Sequence, residues 1–253
     1  MRDETLVGEF THQAESFNRS QAANAHETLA ALVDLADPRP GERWLEAACG
    51  PGIVTRTLAP RAGSVHGVDL TPAMVELARR EAAAQENVTF AVGDATALPD
   101  ASGAYDGAIT RFSLHHVPVP ARLVEELARV VRPGGAVVLA DHLLDEDPEA
   151  AAWSAELERL RDPSHWASLP LERLRALAAD AGLELEREEV VPLALDLGEW
   201  LERGSGTAGR RPLLERLLAT PPMSARRFVV RDGTLTMTWW AARFRRPGGP
   251  SRG

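Results

Sequence analysis

Trp44-Leu-Glu-Ala-Ala-Cys-Gly-Pro-Gly-Ile-Val-Thr-Arg-Thr-Leu58 is the stretch that decides the fold of this chain. It runs from an apolar strand through a glycine turn straight into a helix. Glycines at 50 and 52 let the backbone turn tightly and pass close to a ligand, where a Cβ would intrude. The first N–H groups of the helix that follows then point at that ligand. An acid, Glu46, precedes the first of these glycines by four residues. Dinucleotide-binding folds use a related turn, so the turn alone does not choose between ligands.

The next stretch narrows the choice. Ser64-Val-His-Gly-Val-Asp69-Leu-Thr-Pro-Ala-Met74 is a second strand ending in a carboxylate, followed by a Thr/Pro helix start. It comes about twenty residues after the turn, where an acid can accept both hydroxyls of a ribose. A ligand with an adenosine-like moiety follows. Without the ribose role, Asp69 would be an acid at a helix N-terminus, worth under about 1 kcal/mol.

Five ordered segments carry a family resemblance. They are Glu46 to Gly52, Val68-Asp69-Leu70, Val92-Gly-Asp94-Ala-Thr-Ala-Leu-Pro99, Ser113-Leu-His-His-Val117 and Val131-Arg-Pro-Gly-Gly135. In this order they resemble class I S-adenosylmethionine (SAM)-dependent methyltransferases, most of all the small-molecule branch that includes the quinone-biosynthesis C-methyltransferases. The likeness spans roughly residues 10 to 142. It implies an α/β, Rossmann-like, seven-stranded and mostly parallel sheet with helices on both faces and a helical lid. It also implies a cofactor site drawn from Phe17, Glu46, Ala48, Gly50, Gly52, Asp69, Leu70, Met74, Asp94, Ala95, Arg111 and His116. Two positions depart from the family. Ala48 replaces its usual first loop glycine, and Phe17 stands where relatives often have tyrosine.

The 253 residues suit one domain with a lid, and 44% apolar with 26% charged residues is ordinary for a globular protein. A net charge of −9 argues against a nucleic-acid partner. All 28 basic residues are arginine, so Schiff-base catalysis is excluded. The one cysteine, Cys49, excludes an internal disulfide and a multi-cysteine zinc site. No apolar run is long enough to span a membrane, and the first residues do not form a signal peptide, which predicts a cytoplasmic protein, monomer or homodimer.

Spacing predicts a helical cap over 1–40, a cofactor-binding core over 41–145, an acceptor pocket and lid with the last two strands over 146–244, and a disordered tail over 245–253. Residues 5–36 form one helix in this reading. Strands near 43–48, 64–69, 88–93, 105–111 and 135–142 alternate with helices near 52–59, 72–85 and 120–131, the mark of parallel βαβ units. Beyond 145 come helices to 160 and over 170–181, a strand over 183–191, and short helices over 196–203 and 210–219. Gly204-Ser-Gly-Thr-Ala-Gly209 between those two is flexible by composition. Asp232-Gly233 turns into a closing strand.

His115 and His116 follow the fourth strand and Asp141-His142 ends the fifth, at the edge where open α/β sheets place their sites. If these strands are neighbours, as the resemblance implies, an acid and imidazoles converge there. His115, His116 and Asp141 are thus the catalytic candidates, an imidazole being suited to take a proton from an acceptor. Either histidine could instead be structural. No metal is expected, for want of a third well-placed ligand. All six tryptophans but Trp44 lie after residue 150, together with Phe10 and Phe17 outside the core. Such aromatics are commonly core, yet they also suggest an apolar acceptor. The predicted activity is methyl transfer from SAM to an oxygen or carbon of a small apolar molecule, plausibly in bacterial specialised metabolism. The alternatives are a fold that holds SAM while guiding a pericyclic or elimination step, and a nicotinamide oxidoreductase, which lacks its third glycine at Thr55.

Overall fold

The computed structural model describes residues 2–248, with the side chains of 2, 3, 21 and 22 left aside. Five strands form as the spacing predicts: β1 (Arg43–Ala47), β2 (Ser64–Asp69), β3 (Val88–Val92), β4 (Tyr105–Arg111) and β5 (Val131–His142). They pair in parallel, in the order β3-β2-β1-β4-β5. Helices α4 (Ile53–Leu58), α5 (Pro72–Glu81) and α6 (Pro120–Val130) connect them. After α7 (Pro148–Arg161) and α8 (Leu171–Asp180) come β6 (Glu184–Asp196), α9 (Leu197–Arg203), α10 (Gly206–Leu218), β7 (Phe228–Arg231) and β8 (Thr234–Arg245). β8 lies antiparallel between β5 and β6.

The sheet has eight strands where seven are expected. The extra one, β7, pairs with the first residues of β8, while β5 pairs with the last ones. Asp232 and Gly233, both at positive φ (49° and 77°), make the two-residue turn between β7 and β8. Four residues are too few to announce a strand by alternation. The single helix expected over 5–36 is three: α1 (Arg2–Arg19), α2 (Gln21–Asn24) and α3 (His26–Ala36). Ser20 breaks it, its hydroxyl accepting from the Ala23 N–H at 3.2 Å.

The stretch expected to be flexible at 204–209 is mostly the first turn of α10. A Cβ at Gly204 or Gly206 would run into the carbonyl oxygens of Arg161 and Leu160. These glycines serve close packing on α7. The tail is paired as far as Arg246, which exchanges backbone hydrogen bonds with Gly134 and Gly135; residues 249–253 lie outside the described residues. Apolar side chains fill both faces of the sheet, and the adjacent Trp239 and Trp240 are fully buried on opposite faces. No described helix is long and apolar enough to cross a membrane.

Candidate active site

The carboxyl ends of β1, β2, β3 and β4 meet at one edge, where a cleft of about 880 Å³, its open mouth included, is cut into the sheet. Phe17, Glu46, Ala48, Gly50, Asp69, Leu70, Met74, Asp94, Ala95, Arg111 and His116 all line it. Gly52, expected to line it too, does not. At φ 73° it is the N-cap of α4, and a Cβ there would stand 2.7 Å from the Phe90 ring. Its bareness lets α4 sit against β3.

Asp69 is 9% exposed, and its two carboxylate oxygens each accept one backbone N–H, from Gly50 and from Thr71, both at 2.8 Å. The glycine loop is thereby tied to the end of β2, and lone pairs remain on both oxygens. Burial raises the Asp69 carboxyl above its usual range, since its partners are neutral. Glu46 is buried and accepts from the N–H of Thr55 at 2.6 Å and from its hydroxyl. Burial pushes its carboxyl up to about 7, with Thr55 and the Arg111 charge opposing. Asp94 stands exposed at the rim, holding the N–H and hydroxyl of Thr96 at 2.8 and 2.7 Å. Ala48 is held at φ 55°. This left-handed conformation explains the family's glycine and costs an alanine about 1 kcal/mol.

Beyond Phe10, Phe17, Phe112 and His116, which line both spaces, lies a second chamber of about 560 Å³. His115 lines it, with Nδ1 at 2.6 Å from Asp141 Oδ1. The Asp141 carboxylate lines neither space but is buried directly behind, also accepting the backbone N–H groups of His115 (3.3 Å) and His142 (2.8 Å). Burial opposes its ionisation, yet His115 and His142 outweigh that and hold it well below the carboxylate range. His116 Nδ1 faces the Ser164 hydroxyl and carbonyl at 3.1 and 3.2 Å, and Phe10 packs edge-on against its ring. Burial, then the neighbouring His115, lowers the His116 imidazole to about 3.

Sequence reasoning missed the far wall of this chamber. Glu158, Arg161 and Asp162 come from the end of α7 and Arg203 from the end of α9. Charged residues on a helix ordinarily mark its wet face, so nothing in the pattern of α7 announces that these are buried. His142 was visible beside Asp141 in sequence, and its Nε2 meets the Ser168 hydroxyl at 2.8 Å. It also supplies the missing third residue for a metal, since donor atoms of His115, Asp141 and His142 lie within 4.8 Å of one another. A 2.6 Å contact between Nδ1 and Oδ1 nevertheless fits a shared proton better than two ligands of one ion. Of the tryptophans beyond residue 150, Trp200 alone lines the chamber; Trp153, Trp239 and Trp240 are core, and Trp166 is 43% exposed.

Residues 45–139 match the family described as a methyltransferase domain. The chain is 30% identical over 203 residues to the uncharacterized methyltransferase YcgJ of Bacillus subtilis, covering 79% of this chain and 80% of that protein. The crystal structure of YcgJ superposes with a TM-score of 0.82 at 27% identity, over 88% of this chain and 100% of that one. The 27-O-demethylrifamycin SV methyltransferase of Amycolatopsis mediterranei is 31% identical over 196 residues, 74% of this chain and 71% of that one. The demethylmenaquinone methyltransferase of Clavibacter sepedonicus is 36% identical over 104 residues, 41% of this chain and 42% of that one. With a mostly parallel sheet, a cleft at its carboxyl edge and a relative matching four-fifths of the length, the chain belongs to the class I SAM-dependent methyltransferases.

Proposed function

We propose that this protein methylates an oxygen or carbon of a small, largely apolar acceptor, with His115 as general base and Asp141 orienting it. The observation that carries the reading is the buried 2.6 Å contact between Asp141 and His115 Nδ1, His115 lining the second chamber beside His116, where the two chambers adjoin. The lining of the cleft supports SAM as its ligand. In this reading Asp69, with lone pairs to spare, takes the ribose, Asp94 and Ala95 the adenine, and Glu46 the methionyl end. When bound, SAM supplies a methyl group on a sulfonium leaving group. The likeness to the 27-O-demethylrifamycin SV methyltransferase extends past the cofactor half of the chain and supports an oxygen nucleophile and a specialised product. The demethylmenaquinone methyltransferase covers 104 residues and speaks less to the acceptor.

The chain's own residues align and deprotonate. The walls of the two chambers hold the acceptor against the cleft, and such alignment is worth roughly 7–11 kcal/mol. With Nδ1 engaged by Asp141, the other ring nitrogen of His115 takes the acceptor proton, and the ionised carboxylate steadies the imidazolium that forms. His116, held as a neutral and weakly basic ring, shapes the passage between the chambers. Incubating the protein with methyl-labelled SAM and a panel of phenols and alcohols tests the reading. Label in an acceptor, lost in His115→Ala, is the expected result. Binding of S-adenosylhomocysteine (SAH) together with acceptor consumption that never incorporates label would replace it with a non-methylating reaction.

A further inference from the structure

The second chamber carries guanidinium donors that no hydrogen bond within the described residues satisfies. Arg203, the last residue of α9, lines it half-buried, its guanidinium 5.6 Å from the Phe17 ring. It has no hydrogen bond or ion pair with any described residue. Beside it Arg161 is 5% exposed and stacked 4.6 Å over Trp200. Nη2 of Arg161 donates to Glu158 at 3.1 Å and Asp162 at 3.4 Å, while Nε and Nη1 have no hydrogen-bond partner.

The acids nearby are already engaged. Asp162 also accepts from Gln13 at 2.9 Å and from the N–H and hydroxyl of Ser164 at 2.9 and 2.6 Å. Glu158 stands between Arg161 and the rings of His142 and His165, each 3.8 Å away. Asp141 is answered by His115 and His142. Glu158 and Asp162 accept hydrogen bonds from Arg161 and reach Arg203, with Glu199, only through their charge, so the Arg203 donors stay open to the chamber. Burial, then the charge of Arg161, lowers the Arg203 guanidinium to about 10, with Glu199, Glu158 and Asp162 opposing. Because the chain has no lysine, the choice of arginine says little; the position says more. Leu193, Leu195 and Met237 give the same chamber an apolar portion of wall.

Resting on the methyl-transfer reading above, we infer that the acceptor is an amphiphilic carboxylic acid whose carboxylate docks at Arg203 with Arg161 behind it, and whose apolar body lies on Leu193, Leu195 and Met237. Open guanidinium donors suit a carboxylate, and the charges of Glu158, Asp162 and Glu199 around them disfavour a dianionic phosphate. The test uses the full chain saturated with SAH and a graded set of hydroxyaryl carboxylic acids, each paired with its neutral carboxamide. Quenching of tryptophan fluorescence, with Trp200 in the chamber wall, reports binding. Each acid that fits should bind at least tenfold more tightly than its amide. Arg203→Gln should level the pair, and Arg203→Lys should restore most of the preference. Absence of acid preference throughout the set in the wild type, or its survival in Arg203→Gln, overturns the subsite and leaves methyl transfer standing. Failure of the wild type to bind SAH overturns the methyl-transfer reading instead.

Discussion

The two chambers that meet at His116 treat their buried acids in opposite ways. In the cofactor cleft, Glu46 and Asp69 are answered chiefly by neutral N–H and hydroxyl groups, so burial wins and both carboxyls are raised. In the second chamber burial is equally severe, but Arg161 and the histidines overcome it and hold Glu158 down at about 2. An acid held by neutral donors keeps capacity for hydroxyls or a cation brought by a ligand, as a nucleoside with a charged tail provides. Acids already paired to arginine and imidazole leave the ligand only what remains, here a base and open guanidinium donors. The same carboxylate chemistry thus prepares one side for a fixed cofactor and the other for a proton and an anion.

The largest effect should come from the second side. His115→Ala should lower turnover by about 10²–10⁴ while His116→Ala lowers it far less. Steady-state rates across pH separate the two, since removal of a base abolishes an ionisation and removal of a wall does not. Equal losses in both variants would erase the distinction drawn between the two rings.

The first side can be broken through Glu46. A carboxyl raised from 4.5 to about 7 on folding favours the folded state when protonated. That contribution is full below about 4.5 and is lost as pH rises through about 7. Against Glu46→Gln, the wild type should therefore lose stability over this range, by at most about 1.4 kcal/mol per pH unit. Urea denaturation at several pH values measures the difference. Glu158 has the reverse sign: its contribution is present above about 4.5 and is lost as pH falls toward 2. A wild type that gains on Glu46→Gln as pH rises would contradict the contrast between the chambers.

Asp69→Ala should weaken SAH binding about tenfold or more, because charge-assisted hydrogen bonds are worth about 1.5–3 kcal/mol each and water replaces them in part. Calorimetry measures it. Part of the loss will come through Gly50, whose N–H loses its acceptor. The smallest effect belongs to Ala48. Its φ of 55° suits glycine, so Ala48→Gly should stabilise the fold by about 1 kcal/mol, less what the looser unfolded chain recovers.

The first side was legible in sequence because its signals are local. A glycine turn, an acid four residues before it and another at the end of the next strand are short patterns fixed by strand-to-helix geometry. Only Gly52 misled, being bare toward Phe90 rather than toward the ligand. Much of the second side was hidden because its wall is assembled from distant segments. Gln13 reaches Asp162 across 149 residues, and the Ser205 N–H reaches Glu9 across 196. Burial of Glu158, Arg161 and Asp162 depends on what α1 and α9 lay over them, which no periodicity records. Local chemistry left a clue in the paired His115-His116 and Asp141-His142, and the sheet order joined them.

The division of labour between the chambers is tested most directly by measuring SAH affinity and turnover at saturating SAM in the same two variants, Asp69→Ala and His115→Ala. The account predicts crossed effects. Asp69→Ala loses affinity about tenfold or more and keeps turnover within a few-fold, whereas His115→Ala keeps affinity and loses turnover by about 10² or more. Parallel losses of affinity and turnover in both variants would contradict it.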